Sequence, residues 1–206
     1  AGNAGAQIRA EERAGAELAA DAGPCFGAAA ATDPSCTITG DELLMSPTFA
    51  ATDKPVVYED DCWNRRPFTS RQTCTYGSKS AQTKVALIGN SHAGHWQPAL
   101  AQIAKARDWQ ITTYLVSECW TGDVPQIFEA PADTQTCREW VRWAVDETAK
   151  GDFDLVVSSN RTWRKIRDVA EQDQVAHATR AYSEVLDTWV RAGKQVVVIR
   201  DVPNIT

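Results

Sequence analysis

The rhythm of the chain changes after Lys84, where short apolar runs begin to alternate with stretches in which apolar residues recur every three or four positions. Val85-Ala86-Leu87-Ile88-Gly89 is an unbroken apolar run closed by a turn residue, as expected of a strand buried on both faces of a parallel sheet. Trp96, Leu100, Ile103 and Ala104 then recur at helical spacing. Ile111 to Val116 reads as a second strand, and Cys137, Trp140, Val141, Ala144 and Val145 mark one face of a second helix. Phe153 to Ser158 gives a third strand. Val175, Ala178, Tyr182, Val185, Leu186 and Trp189 form a third helical face, and Val196 to Ile199 a fourth strand. This alternation predicts an α/β fold: a three-layer parallel sheet, flavodoxin-like, with right-handed crossovers and helices on both faces. The loops leaving the carboxyl ends of such strands build the ligand site, so chemistry is sought there.

The upstream part has a different character. Residues 1–23 are rich in Ala, Glu and Arg, with Ile8 and Leu18 as the large apolar side chains, and read as a linker or an exposed helix. Residues 24–83 carry frequent Pro, Asp, Thr and Ser and no long periodic segment, and read as an irregular, disulfide-linked N-terminal cap. Residues 84–206 form the expected core. No run approaches the ~20 apolar residues of a membrane span, and no signal-peptide layout opens the chain, so the domain is expected to be a piece of a longer precursor.

Composition sharpens this picture in two ways. A net charge of −6 over 206 residues leaves no basic face for phosphates, which argues against nucleic acid and anionic lipid as partners. Six cysteines fall into three local pairs, Cys25 with Cys36, Cys62 with Cys74 and Cys119 with Cys137. None is a Cys-x-x-Cys and no histidine flanks a pair, so disulfides are expected rather than a metal or other cofactor, which places the domain outside the reducing cytosol.

The first strand-end loop reads Gly89-Asn90-Ser91-His92-Ala93. Gly89 allows a sharp turn, and Ser91 falls in the first turn of a helix whose free N–H groups favour developing negative charge. A serine there can be a nucleophile with its own N–H in an oxyanion hole. Spacing alone favours a plainer role, with Asn90 or Ser91 capping the helix.

The block Val-Ala-Leu-Ile-Gly-Asn-Ser-His-Ala-Gly-His-Trp-Gln-Pro-Ala-Leu, residues 85–100, resembles the first block of the SGNH (GDSL-like) hydrolases, and more narrowly the SGNH domains fused behind bacterial acyltransferase-3 membrane regions. The similarity reaches upstream to Pro24-Cys25-Phe26-Gly27, to Cys62-Trp63 and to Cys74-Thr75-Tyr76-Gly77, and downstream through Ser117-Glu118-Cys119 to Val198-Ile199-Arg200-Asp201-Val202-Pro203. Asn90 stands where the family usually has Asp. The resemblance implies Ser91 as nucleophile, with Gly89, Asn90 and His92 in support. It implies an oxyanion hole from Ser91, a backbone N–H of Ser117 or Glu118, and Asn160, although Asn160 also reads as a turn residue or as part of an Asn-Arg-Thr glycosylation sequon. The family's base comes from an Asp-x-x-His near the C-terminus. None of the three histidines, His92, His95 and His177, lies in such a segment, so the catalytic His and Asp are expected beyond Thr206.

Among the eight tryptophans, Trp96, Trp140 and Trp189 are expected in the core. Trp120 and Trp163 follow strand ends and, with Arg161 and Arg164, form a candidate substrate rim. Asp201 is expected to order a loop. The resemblance implies extracytoplasmic O-acyl, mainly O-acetyl, transfer to or from a cell-envelope glycan by a monomer, its partners being an acyl donor, a glycan acceptor and an acyltransferase-3 region of the parent chain. A non-catalytic glycan-binding module with the same shell is the alternative.

Overall fold

The computed structural model describes residues 2–20, 25, 33–37 and 47–201, in two compact units, Ala1–Lys54 and Pro55–Thr206. The first unit contains helix α1 (Gly2–Ala20), the Cys25–Cys36 disulfide and helix α2 (Pro47–Thr52). Residues 26–29 and 202–206, which carry two ends of the family resemblance, lie outside the described residues.

The second unit is built on six strands, β1 (Trp63–Asn64), β2 (Cys74–Gly77), β3 (Thr83–Gly89), β4 (Trp109–Val116), β5 (Leu155–Ser159) and β6 (Gln195–Val198). Helices α3 (Ser91–Gly94) and α4 (Gln97–Arg107) connect β3 to β4, α5 (Pro131–Lys150) precedes β5, and α6 (Gln174–Arg191) precedes β6. The spatial order is β1-β4-β3-β5-β6, with every pair parallel, and β2 adds antiparallel to β4. Successive residues of each strand face opposite layers. Ala86, Ile88, Tyr114, Val116 and Val156 pack with Trp140, Val141, Val185 and Trp189 of α5 and α6. Their neighbours Val85, Leu87, Ile111, Leu115 and Val157 pack with Leu100 and Ala104 of α4. Full burial of one such aliphatic side chain is worth about 1.5–3 kcal/mol, against about 1 kcal/mol net for a hydrogen bond, so these two layers dominate the stability.

Three features depart from the periodicity. The helix expected after β3 is split into α3 and α4, because Pro98 has no N–H to donate to the carbonyl of Gly94 and instead sits in the first turn of a new helix. As a result Trp96, read as a core residue, caps α4 and is 40% exposed. Finally, β1 and β2 come from the stretch read as an irregular cap, yet both pair with β4, and the Cys62–Cys74 disulfide joins them within the sheet unit.

Candidate active site

The strand order places β3 between β4 and β5, so the chain leaves β3 at the point where the sheet's connections diverge. Gly89 makes that exit possible. Its φ is +148°, and a Cβ there would lie 2.0 Å from the carbonyl oxygen of Ser159 on β5, so any side chain would force the two strand ends apart.

Asn90 follows and is buried. Its side-chain oxygen accepts from the N–H of His92 at 3.2 Å, capping α3, and from the N–H of Arg161 at 3.0 Å, while its amide donates to the Arg161 carbonyl at 2.9 Å. The cap is therefore Asn90. Ser91 occupies the first helical position, part-exposed, and among the described residues its hydroxyl has no hydrogen-bond partner. Capping, the competing role for this serine, is already filled by its neighbour.

His92 is the next residue of α3, and adjacent helical residues do not face each other. Its Nδ1 is hydrogen-bonded to the carboxylate of Asp201, just past the end of β6. His95 stands one turn on, with its ring 5.4 Å from that of His92. Together with Trp96 and Arg200, this trio lines a cleft of about 310 Å³. Burial and the nearby His92 lower the pKa of His95, against an upward pull from Asp201.

The residues expected to complete an oxyanion hole separate into used and unused donors. The N–H of Ser117 is taken by the carbonyl of Asn64 at 2.8 Å, because β1 pairs with the end of β4, and its hydroxyl accepts from Trp63 Nε1 at 2.8 Å. Ser117 is therefore not a free donor. Glu118 has a left-handed backbone, with φ +60°, and among the described residues its N–H has no partner. Asn160 immediately follows β5 and is 8% exposed. Its oxygen accepts from the Thr121 N–H and hydroxyl, both at 3.0 Å, and its amide donates to Ser158 Oγ at 3.2 Å, leaving one amide proton uncommitted. Burial and these bonds argue against use of the Asn-Arg-Thr sequon.

The expected substrate rim also divides. Trp120 is 1% exposed, so it forms a floor rather than a rim. Trp163 is half exposed, with the guanidinium groups of Arg161 and Arg164 at 5.7 and 4.4 Å from its ring centre. Arg164 is ion-paired with Glu118, which also holds Arg66 at 2.5 Å. Beneath this loop the Cys119–Cys137 disulfide, Cα to Cα 5.9 Å, ties the segment after β4 to α5. His177 is exposed on α6. Among the described residues no cluster of His, Cys, Asp or Glu is arranged to hold a metal ion, and no helix is long and apolar enough to cross a membrane.

The profile of a family described as "SGNH domain (fused to AT3 domains)" matches residues 57–206. A solved structure, the periplasmic domain of a lipopolysaccharide acetyltransferase from Salmonella ser. Paratyphi A, is similar at 15% identity and a TM-score of 0.48, covering 61% of this chain. The chain spans about half of that one, 47% of its length. No curated protein matches.

Proposed function

Since the chain belongs to the family of SGNH domains fused to AT3 domains, we propose that it is an extracytoplasmic, serine-dependent O-acyl transferase or esterase, and that Ser91 carries the acyl group. The carrying observation is the division of labour at the start of α3: Asn90 caps the helix, which leaves the Ser91 hydroxyl uncommitted beside a helix N-terminus at the carboxyl edge of the sheet. Three disulfides support an oxidising compartment, here the cell envelope. The fusion that gives the family its description supports an acyltransferase-3 region of the parent chain as the source of acyl groups.

In this reading Ser91 Oγ attacks the carbonyl carbon of the acyl donor as its proton passes to a general base. The resulting oxyanion takes hydrogen bonds from the Ser91 and Glu118 N–H groups and the uncommitted proton of Asn160, and its collapse expels the donor's leaving group with the proton. A hydroxyl of an envelope glycan, or water, then attacks the acyl-serine and regenerates Ser91. The base is assigned to an Asp-x-x-His segment, which the 206 residues do not contain. His92, held by Asp201, shapes the crevice.

A fluorophosphonate probe applied to the parent chain, which supplies the base, tests this directly. Mass spectrometry is expected to find the adduct on Ser91, with labelling and hydrolysis of 4-nitrophenyl acetate both lost in Ser91→Ala. Labelling elsewhere, or turnover that survives the substitution, overturns the assignment. The absence of an Asp-x-x-His among these residues favours a second reading, a glycan-binding module with an inert serine, and a chain that binds glycan without forming any adduct would support it.

A further inference from the structure

In the sheet register Gly89 of β3 stands between Leu115 of β4 and Ser159 of β5. Ser91, Glu118 and Asn160 therefore follow two, three and one residues after three neighbouring positions, on strands about 5 Å apart. Glu118 is the odd member of this row. Its φ of +60° puts its Cβ against its own main chain, a conformation eased in Gly by the missing side chain and in Asn or Asp by a short polar one. Glutamate has neither remedy, and such a backbone persists only where its surroundings over-determine it.

The surroundings do so twice. The main chain is fixed on both sides, since the Ser117 N–H donates to the carbonyl of Asn64 and Cys119 is tied to Cys137. The side chain is fixed as well, and by charge. One carboxylate oxygen, Oε2, accepts from Nη2 of Arg66 at 2.5 Å and from Nη2 of Arg164. Arg66 belongs to the turn between β1 and β2 and Arg164 to the loop after β5, so three loops meet at one atom. Both guanidinium groups also lie over the ring of buried Phe128, at 5.6 and 4.0 Å from its centre. Arg164 donates further to the carbonyl of Ile127 at 2.8 Å, and its side chain is only 10% exposed.

Stability is a poor account of this arrangement. The side chains of Arg66 and Glu118 are each 36% exposed, and an ion pair so open to water contributes little. Bringing Arg66 up to Arg164 also sets two cations against each other, and after burial it is Arg66 that lowers the Arg164 pKa. What two arginines on one oxygen do provide is a fixed position.

We propose that Arg66 and Arg164 are positioning residues for acyl transfer: by clamping the Glu118 carboxylate they hold its main chain left-handed and keep its N–H set as an oxyanion donor. The proposal rests on the reading of Ser91 as acyl carrier. Each arginine acts through Glu118 and not on the reacting atoms. A donor set in advance costs no reorganisation when charge develops on the oxyanion, so loosening it slows the chemical step and spares substrate binding.

The test is steady-state hydrolysis of 4-nitrophenyl acetate by the parent chain, with the rate of fluorophosphonate labelling as a second readout. Arg66→Gln and Glu118→Gln are each expected to lower kcat and the labelling rate about tenfold with KM unchanged, short of the roughly hundredfold cost of deleting a donor outright. Because both changes act through one carboxylate, the double variant is expected to lose no more than Glu118→Gln alone. Arg66→Lys, which returns a charge without the planar fork, is expected to regain about threefold. Melting temperatures of all variants are expected to stay above the assay temperature. Unchanged kcat in Arg66→Gln, a loss confined to KM, fully additive losses in the double variant, or rates that merely track the folded fraction overturn the clamp. Turnover that survives Ser91→Ala removes the acyl-carrier reading and the clamp with it. If Ser91→Ala is inert while Arg66→Gln keeps the parental rate, that reading stands and the clamp alone falls.

Discussion

The side chain of Asn90 and the main chain of Arg161, 71 residues apart in sequence, are joined by a reciprocal pair of hydrogen bonds, amide to carbonyl at 2.9 Å and N–H to amide oxygen at 3.0 Å. This clasp locks the turn before Ser91 to the loop after β5. It also separates asparagine from the aspartate usual in the family, since a carboxylate can accept from Arg161 N–H and His92 N–H but cannot donate to the Arg161 carbonyl.

Asn90→Asp is therefore expected to destabilise the fold by about 1–3 kcal/mol, and Asn90→Ala, which also removes the cap, by about 2–4 kcal/mol. Urea denaturation of the three proteins checks the ranking. An aspartate variant as stable as the parent would show that the donated bond contributes nothing.

Acidification should weaken the fold through His95. Burial and the neighbouring His92 lower its pKa below the ordinary 6.5, outweighing the pull of Asp201. The unfolded chain then binds the proton more readily than the folded one. The stability this confers is present above pH 6.5 and is lost as the pH falls through 6.5 toward the lower folded value. Replacing His95 with Gln should flatten the stability profile below pH 6.5. Parallel profiles for the two proteins would remove His95 as the cause.

Breaking the third disulfide should have a larger effect. Cys119 and Cys137 are fully buried and 18 residues apart in the chain. Their joint replacement by alanine is expected to cost about 2–4 kcal/mol in chemical denaturation, through the freer unfolded chain. A loss under about 1 kcal/mol would mean that core packing alone holds the loop after β4.

The central strands and long helices were legible because each buries a periodic set of side chains. Val85, Leu87, Ala86 and Ile88 alternate between layers as their run demands, and Trp140 and Trp189 lie in the core. Ser91 at a strand-to-helix junction was legible for the same reason. β1 and β2 were not: two and four residues long, they have too little pattern of their own and owe their form to hydrogen bonds with β4. The bond between His92 and Asp201 spans 109 residues, so no local spacing could reveal it, although Asp201 lies shortly after the end of β6. Tyr182 matched an apolar helix face, and only the lack of a partner for its hydroxyl sets it apart. The break at Pro98 is legible in the sequence itself, and it is what carries Trp96 out of the core and into the cleft.

The sheet is asymmetric in how it ends. On one side β4 is covered by two very short strands pinned by a disulfide, whereas on the other side β6, among the described residues, pairs with β5 and carries exposed Val197 and Val198. Very short edge strands of this kind, cross-linked to each other, offer an incoming strand too little main chain to pair with, so the β4 margin of the sheet is blunted against further strand addition.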